Sequence, residues 1–451
     1  MPAEARTLVE LSGRLRDGRT TSAEVTERCL ARIADRNASL NAYITVLADT
    51  ARAEAQVADR ELAAGRYRGA LHGVPLSLKD LIDQRAVPTT AASRVRAGHV
   101  AQDDAPVVAR LRAAGAVFLG KTNLHEFAFG TTNEDSAYGP ARHPFDPDYS
   151  PGGSSGGSAA SVLDGMAWAS IGTDTGGSVR IPASACGLVG LKPALGEIPT
   201  AGVVPLSATM DHVGPLCLCV EDAWLVYNAM RCEFEPAPLA SRGVKGLRLA
   251  VPRPYFLDRL DTEVATQFED ACAQLAQAGA ILEDTAIPHA GDIAPVYLHI
   301  VLAEAAACHA ATLESRPDDY TPNVRIRLEM GRYVLAEDYL RAMRGREVLT
   351  REVDAALAGR DALLLPTLPV AATRIGEATV RLGEVDEPVR NATLRLTQLF
   401  DITGHPAVTI PCGRTQAGLP IGAQLVGARY AGSAHLLQVA RAAEQVLATA
   451  C

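Results

Sequence analysis

Residues Ser150–Ser161 read SPGGSSGGSAAS. The composition suits two opposite things. Runs of glycine and serine build flexible connectors, because neither residue buries enough apolar surface to offset the entropy of ordering. Glycine is also required where a backbone must pass close to a reacting atom. The flanking residues decide between them. SAASVLDG (158–165) is a run of small residues closed by glycine, the pattern of a short helix, and MAWASIG (166–172) has the character of a buried strand. A loop that runs straight into a helix–strand unit is not a linker. GTDTGGSVRIPASACG (172–187) repeats the arrangement, with Pro182 near the start of another short helix and Gly187 to close it. Two Gly/Ser loops thus deliver serines to helix starts, where unpaired backbone N–H groups face any anion, an oxyanion included.

Working outward, VPLSL (74–78), AVFLG (116–120), DALLLPTLPV (361–370) and AVTIPCG (407–413) read as further buried strands, and 264–280 and 292–358 as longer helical stretches. Residues 1–65 read as an amino-terminal helical segment: leucines 8, 11 and 15 share a face, and Thr21 with Glu24 forms a capping box. The expectation is one α/β domain over 1–451, a central mixed sheet covered by helices on both faces. Its core with the motifs spans 66–225, a helical insertion lies near 292–345, and 360–451 completes the same sheet.

Composition narrows the function. The chain has 451 residues, 48% hydrophobic and 21% charged, and 52 acidic against 43 basic residues leave a charge of -9. No basic block could track a phosphate backbone, so no nucleic acid is expected as a direct partner. The nine cysteines lack zinc or redox spacing, Cys217 and Cys219 being a CxC pair in an apolar run. They read as reduced core residues of a cytoplasmic protein. No signal-like stretch opens the chain, no apolar run reaches about 18 residues, and neither a membrane nor a metal or organic cofactor is implied. Two other readings of the loop fail. The nucleophile elbow GxSxG needs a strand immediately before it, where HPFDPDYSP stands, and a P-loop needs a lysine after the glycines.

Three segments together, HGVPLSLKDLID (72–83), SPGGSSGGSAAS and GTDTGGSVRIPASACGLVGLKP (172–193), resemble the amidase signature family. The likeness extends through KTNLHEFAFGTTNE (121–134) to GLPIGAQLVG (418–427). The resemblance implies a Ser-Ser-Lys triad: Ser178 as nucleophile, Ser154 as a proton relay held by a cis peptide bond, and Lys79 as base. It also implies an oxyanion hole from the backbone N–H groups of Thr175, Gly176, Gly177 and Ser178. The chemistry explains these types, since a serine hydroxyl needs a base to take its proton, and a lysine serves only where its surroundings disfavour the charged form. Lys121 and Lys192 lack the VPxxxKD surroundings. Histidines 72, 125 and 212 raise a Ser-His alternative that the lysine match makes unnecessary. Ser155 and Ser158 read as helix caps, and Asp174 with Arg180 as a brace for the nucleophile loop.

The family hydrolyses many amides, and some members cleave esters or carbamates. Phe127, Ala128, Phe129 and Gly130 are the expected substrate pocket, together with the helical insertion. The apolar character of Ala128 and Phe129 points to a small uncharged amide or carbamate. A second reading is the glutamine-hydrolysing A subunit of a tRNA-dependent amidotransferase, which RIRLEMGRYVLAEDYL (325–340) resembles; the aspartate expected of that subunit falls on Leu394 here. His143 also stands where the family often has asparagine, which affects the loop's anchoring or the pocket rim. The amino-terminal helices are the candidate contact of a homodimer.

Overall fold

Leu8, Leu11 and Leu15 are buried along one side of α1 (Leu8–Arg16), the face their spacing predicts. α2 (Ser22–Leu40) opens with the expected capping box: the Glu24 N–H donates to Thr21 Oγ1 and the Thr21 N–H to Glu24 Oε2, both at 3.1 Å. The computed structural model describes residues 6–240 and 243–447, so the first five residues of this segment lie outside it. One expectation is corrected here, because 1–65 is not wholly helical. Asn41 turns left-handed to end α2, and β1 (Tyr43–Val46) precedes α3 (Ala48–Ala63). Four residues carry too little alternation to be read as a strand. Pairing with a later strand defines it.

β2 (Pro75–Lys79), β3 (Val117–Thr122) and β4 (Ala169–Asp174) are buried at every position, which is why each reads as a continuous run rather than an alternating one. Between them lie α4 (Pro106–Ala113), with proline in its first turn, and α5 (Gly156–Leu163). α6 (Arg180–Cys186) follows β4 and stops at left-handed Gly187. β5 (Val189–Lys192), β6 (His212–Cys217) and α7 (Val220–Met230) come next. β7 (Arg248–Pro252), α8 (Thr262–Gln277), capped by Asp261, and β8 (Ile281–Thr285) form a unit whose two strands are parallel.

Three helices come after it, α9 (Ile293–Ser315), α10 (Pro322–Gly331) and α11 (Ala336–Leu357). The stretch Ala290–Ser315 is long and apolar enough to cross a membrane, yet it packs against α10 and α11 as a core helix does. The chain closes with β9 (Ala362–Pro366), the hairpin β10 (Thr379–Leu382) and β11 (Val385–Pro388), and the short helices α12 (Val389–Leu394) and α13 (Leu399–Ile402). β12 (Ala407–Arg414), β13 (Pro420–Val426) and α14 (Gly432–Leu447) end it.

Eleven strands make one mixed sheet in the order β1-β3-β2-β4-β6-β5-β12-β13-β9-β7-β8. The late strands complete the early sheet, as expected, with β12 antiparallel to β5. The result is a single α/β domain with helices over the sheet. β2 runs parallel to both β3 and β4, so Lys79, Thr122 and Asp174 end three neighbouring strands at one edge. The segments that leave β3 and β4 at this edge hold the two serine loops, at the position where open α/β sheets generally bind ligands.

Candidate active site

Alternate residues of a strand share a face, and Ser77 and Lys79 of β2 share the one that meets α5. Ser77 Oγ lies 3.1 Å from Ser161 Oγ of that helix. Two residues on, Lys79 Nζ donates to Ser154 Oγ at 2.7 Å and to Thr173 Oγ1 at 2.8 Å. The lysine is fully buried and, among the described residues, has no carboxylate in hydrogen-bonding contact. Burial pushes its pKa down to about 7, against the weaker pull of Asp174 and Asp211.

Every residue from Ser150 to Ser161 is buried, which disposes of the linker. Gly157 shows why side chains are excluded: a Cβ there would sit 2.5 Å from the carbonyl oxygens of Ala42 and Asn123. The Gly153–Ser154 peptide is cis. Ser155 N–H donates to Ser178 O at 3.3 Å, tying the two serine loops together. Ser155 and Ser158 are not side-chain caps as expected. Ser155 Oγ donates to Thr173 O and Ser158 Oγ pairs with Thr122 Oγ1, so both fasten the loop and α5 to the sheet.

Asp174 braces the loop that carries Ser178. It accepts from Gly177 N–H at 2.7 Å and Val179 N–H at 3.0 Å, and it pairs with Arg180. Arg180 also donates to Asp401 at 2.5 Å, Gln424 at 3.1 Å and the Thr397 carbonyl at 2.9 Å. All of these side chains are buried. Burial alone would raise the Asp174 carboxyl, but the guanidinium holds it well below the usual range; burial and the Asp174 charge push Asp401 up. This brace corrects the oxyanion-hole expectation. The Gly177 N–H already serves Asp174, which leaves Thr175, Gly176 and Ser178 as candidate donors. Gly177 has φ of 137°, and a Cβ there would approach Thr397 Oγ1 to 2.4 Å. Thr397 in turn donates to the Gly176 carbonyl at 2.6 Å.

Ser178, Thr175 and Gly176 share a cavity with Ala128, Phe129 and Gly130. Phe127 is the exception among the expected pocket residues. Its left-handed φ of 52° turns the ring against His309 and Tyr320, with centroids 4.3 and 5.5 Å away. Thr131, Leu206, Tyr297, Arg390 and Leu394 complete the wall. Tyr297 comes from the expected insertion; Arg390 and Leu394 come from α12, outside it, and of the two only Leu394 is marked in the sequence, as the position of the missing aspartate.

Lys121 pairs with Asp80 at 3.3 Å, and Lys192 meets His212 Nε2 at 3.2 Å. Burial drives Lys192 to about 7 as well, so contact with Ser154, not basicity, singles out Lys79. His72 and His125 pair with Glu61 and Asp135. His143 Nδ1 accepts from the Phe145 N–H, so its Nε2 carries the proton toward Ala185 O at 3.1 Å and anchors the approach to the loop on α6.

This fold, with two buried serine loops and a buried lysine at the carboxyl edge of its parallel strands, is that of hydrolases acting on carbon–nitrogen bonds. Residues 24–436 match the family described as Amidase, and the chain belongs to that family, the amidase signature enzymes. An amidase of Pseudomonas putida is 43% identical over 92% of this chain and 90% of its own length. The A subunit of the glutamyl-tRNA(Gln) amidotransferase of Anaeromyxobacter sp. (strain K) is 39% identical over 95% of this chain and 93% of its own. A crystal structure of an amidase superposes with a TM-score of 0.93 at 36% identity, covering 98% of this chain and all of that one.

Proposed function

We propose that the protein hydrolyses small linear amides through an acyl-enzyme on Ser178, with Ser154 and Lys79 moving the proton. The observation that carries this is the 2.7 Å contact between a buried Lys79 and Ser154, on a loop bonded to Ser178. Ser178 Oγ attacks the carbonyl carbon, and its proton passes through the Ser154 hydroxyl to neutral Lys79. The oxyanion faces the N–H groups of Thr175, Gly176 and Ser178; losing one such donor costs roughly a hundredfold in turnover. The proton then returns through Ser154 to the departing nitrogen, leaving an ester on Ser178. Water repeats the sequence and releases the acid. Carbamates and esters fit the same steps and belong in the screen.

A second reading, the amidotransferase A subunit, is favoured by the identity to that protein from Anaeromyxobacter. Leu394 on the cavity wall, where an aspartate is expected of that subunit, favours the stand-alone enzyme. The purified chain is assayed alone against amides, carbamates, esters and glutamine, beside Ser178→Ala and Lys79→Ala. Amide turnover absent from both variants supports the proposal. Turnover of glutamine alone, and only with added partner proteins, favours the second reading.

A further inference from the structure

The start of β6 lies against the end of β4, with His212 directly opposite Asp174 in an antiparallel pair. The imidazole is buried, and both of its nitrogens are engaged behind the loop that carries Ser178. Nε2 lies 3.2 Å from Lys192 Nζ, and Nδ1 lies 3.3 Å from the Asp174 carbonyl oxygen, with Asp401 Oδ1 at 3.6 Å. These contacts fix the ring proton. A backbone carbonyl only accepts, so Nδ1 carries the hydrogen and Nε2 accepts from Lys192, which also donates to the Pro193 carbonyl at 3.0 Å. Burial, and then the Lys192 charge, disfavour a second ring proton.

The carbonyl that His212 holds belongs to the peptide whose N–H is that of Thr175, one of the three candidate oxyanion donors. The Asp174–Thr175 peptide is trans and planar, so its N–H points opposite to its C=O. A donor behind the carbonyl therefore directs the N–H away from the ring. It also strengthens that N–H, because hydrogen bonds in a chain polarise one another. The side chain of the same residue is held from the neighbouring position. Thr175 Oγ1 donates to Asp211 Oδ1 at 2.6 Å, and Asp211 also accepts from the N–H groups of Leu206 at 3.0 Å and Ser207 at 3.1 Å. Thr175 and Leu206 both line the Ser178 cavity. Resting on the hydrolase reading above, we infer that His212 is a positioning residue for the oxyanion hole, holding the Asp174–Thr175 peptide from behind so that the Thr175 N–H faces the developing oxyanion.

Two measurements test this. Nitrogen NMR of protein labelled at its histidine rings should show, as the signals lost in His212→Asn, a neutral ring protonated on Nδ1. A proton on Nε2 would overturn the inference, whatever the variants do. On the amide that the wild type turns over best, His212→Leu should lower kcat by about tenfold to a hundredfold, the upper figure being the loss of a whole donor, and leave KM unchanged. His212→Asn, whose amide can donate from about the place of Nδ1, should recover most of that loss; if His212→Leu does not fold, near-normal kcat in His212→Asn remains the expected result. An unchanged kcat in His212→Leu, or losses in the two variants that simply follow their urea stability, would overturn the inference while the hydrolase reading stands. A wild type that hydrolyses no amide would remove that reading and the inference together.

Discussion

Lys79 does its proposed work only when neutral, and its burial sets the pH at which that happens. The base is protonated below its pKa and free above it, so kcat/KM should rise with pH through about 7 and then level. A pH–rate profile without that limb would remove Lys79 from the role. Lys79→Arg, which keeps the charge at every accessible pH, should lose about a hundredfold or more in kcat. At this scale Lys79, Ser154 and Ser178 came from the family resemblance rather than from spacing, and the structure brings Lys79 against Ser154 and the Ser154 loop against Ser178. The sequence was silent on direction. Phe127 has the right neighbours but a left-handed backbone that aims it elsewhere, and Gly177 has the right place but an N–H already taken by Asp174.

The loop between β4 and α6 is held by its ends as much as by its residues. Asp174 closes β4, Arg180 opens α6, and Asp401 at α13 completes the bridge. Arg180→Leu strands a buried carboxylate and should destabilise the fold by about 3–5 kcal/mol in denaturant unfolding. Because Asp174 is held below the usual carboxylate range, the stability it contributes is present above about pH 4 and is lost as the pH falls below that. Gly177→Ala forces a methyl against Thr397 and should lower kcat more than it lowers Tm, since the misplaced loop carries Ser178. Equal effects on both would argue that the close approach is only structural. β2, β3, β4, β9 and β12 were legible as apolar runs and the short helices by their prolines and glycines, whereas β5, β6 and β13, interrupted by glycine or proline, were not. β1 was not, because its strand character comes from β3.

Across the whole molecule, one sheet joins residues that are far apart in the chain. β5, from the half that bears the serines, is bordered by β12, and β9 and β13 carry the sheet on to β7 and β8. The chain should therefore unfold as one unit, with the fluorescence of Trp168 and Trp224 and the far-ultraviolet dichroism falling together in urea. Two separated transitions would divide what the sheet unites. The proposed mechanism stands on Ser178 as the nucleophile and on the buried Lys79 that activates it. The most direct test is labelling with a fluorophosphonate, then peptide mapping. One label per chain is expected, on Ser178, that disappears in Ser178→Ala and forms far more slowly in Lys79→Ala. A label on Ser154, or labelling at full rate in Ser178→Ala, would contradict it.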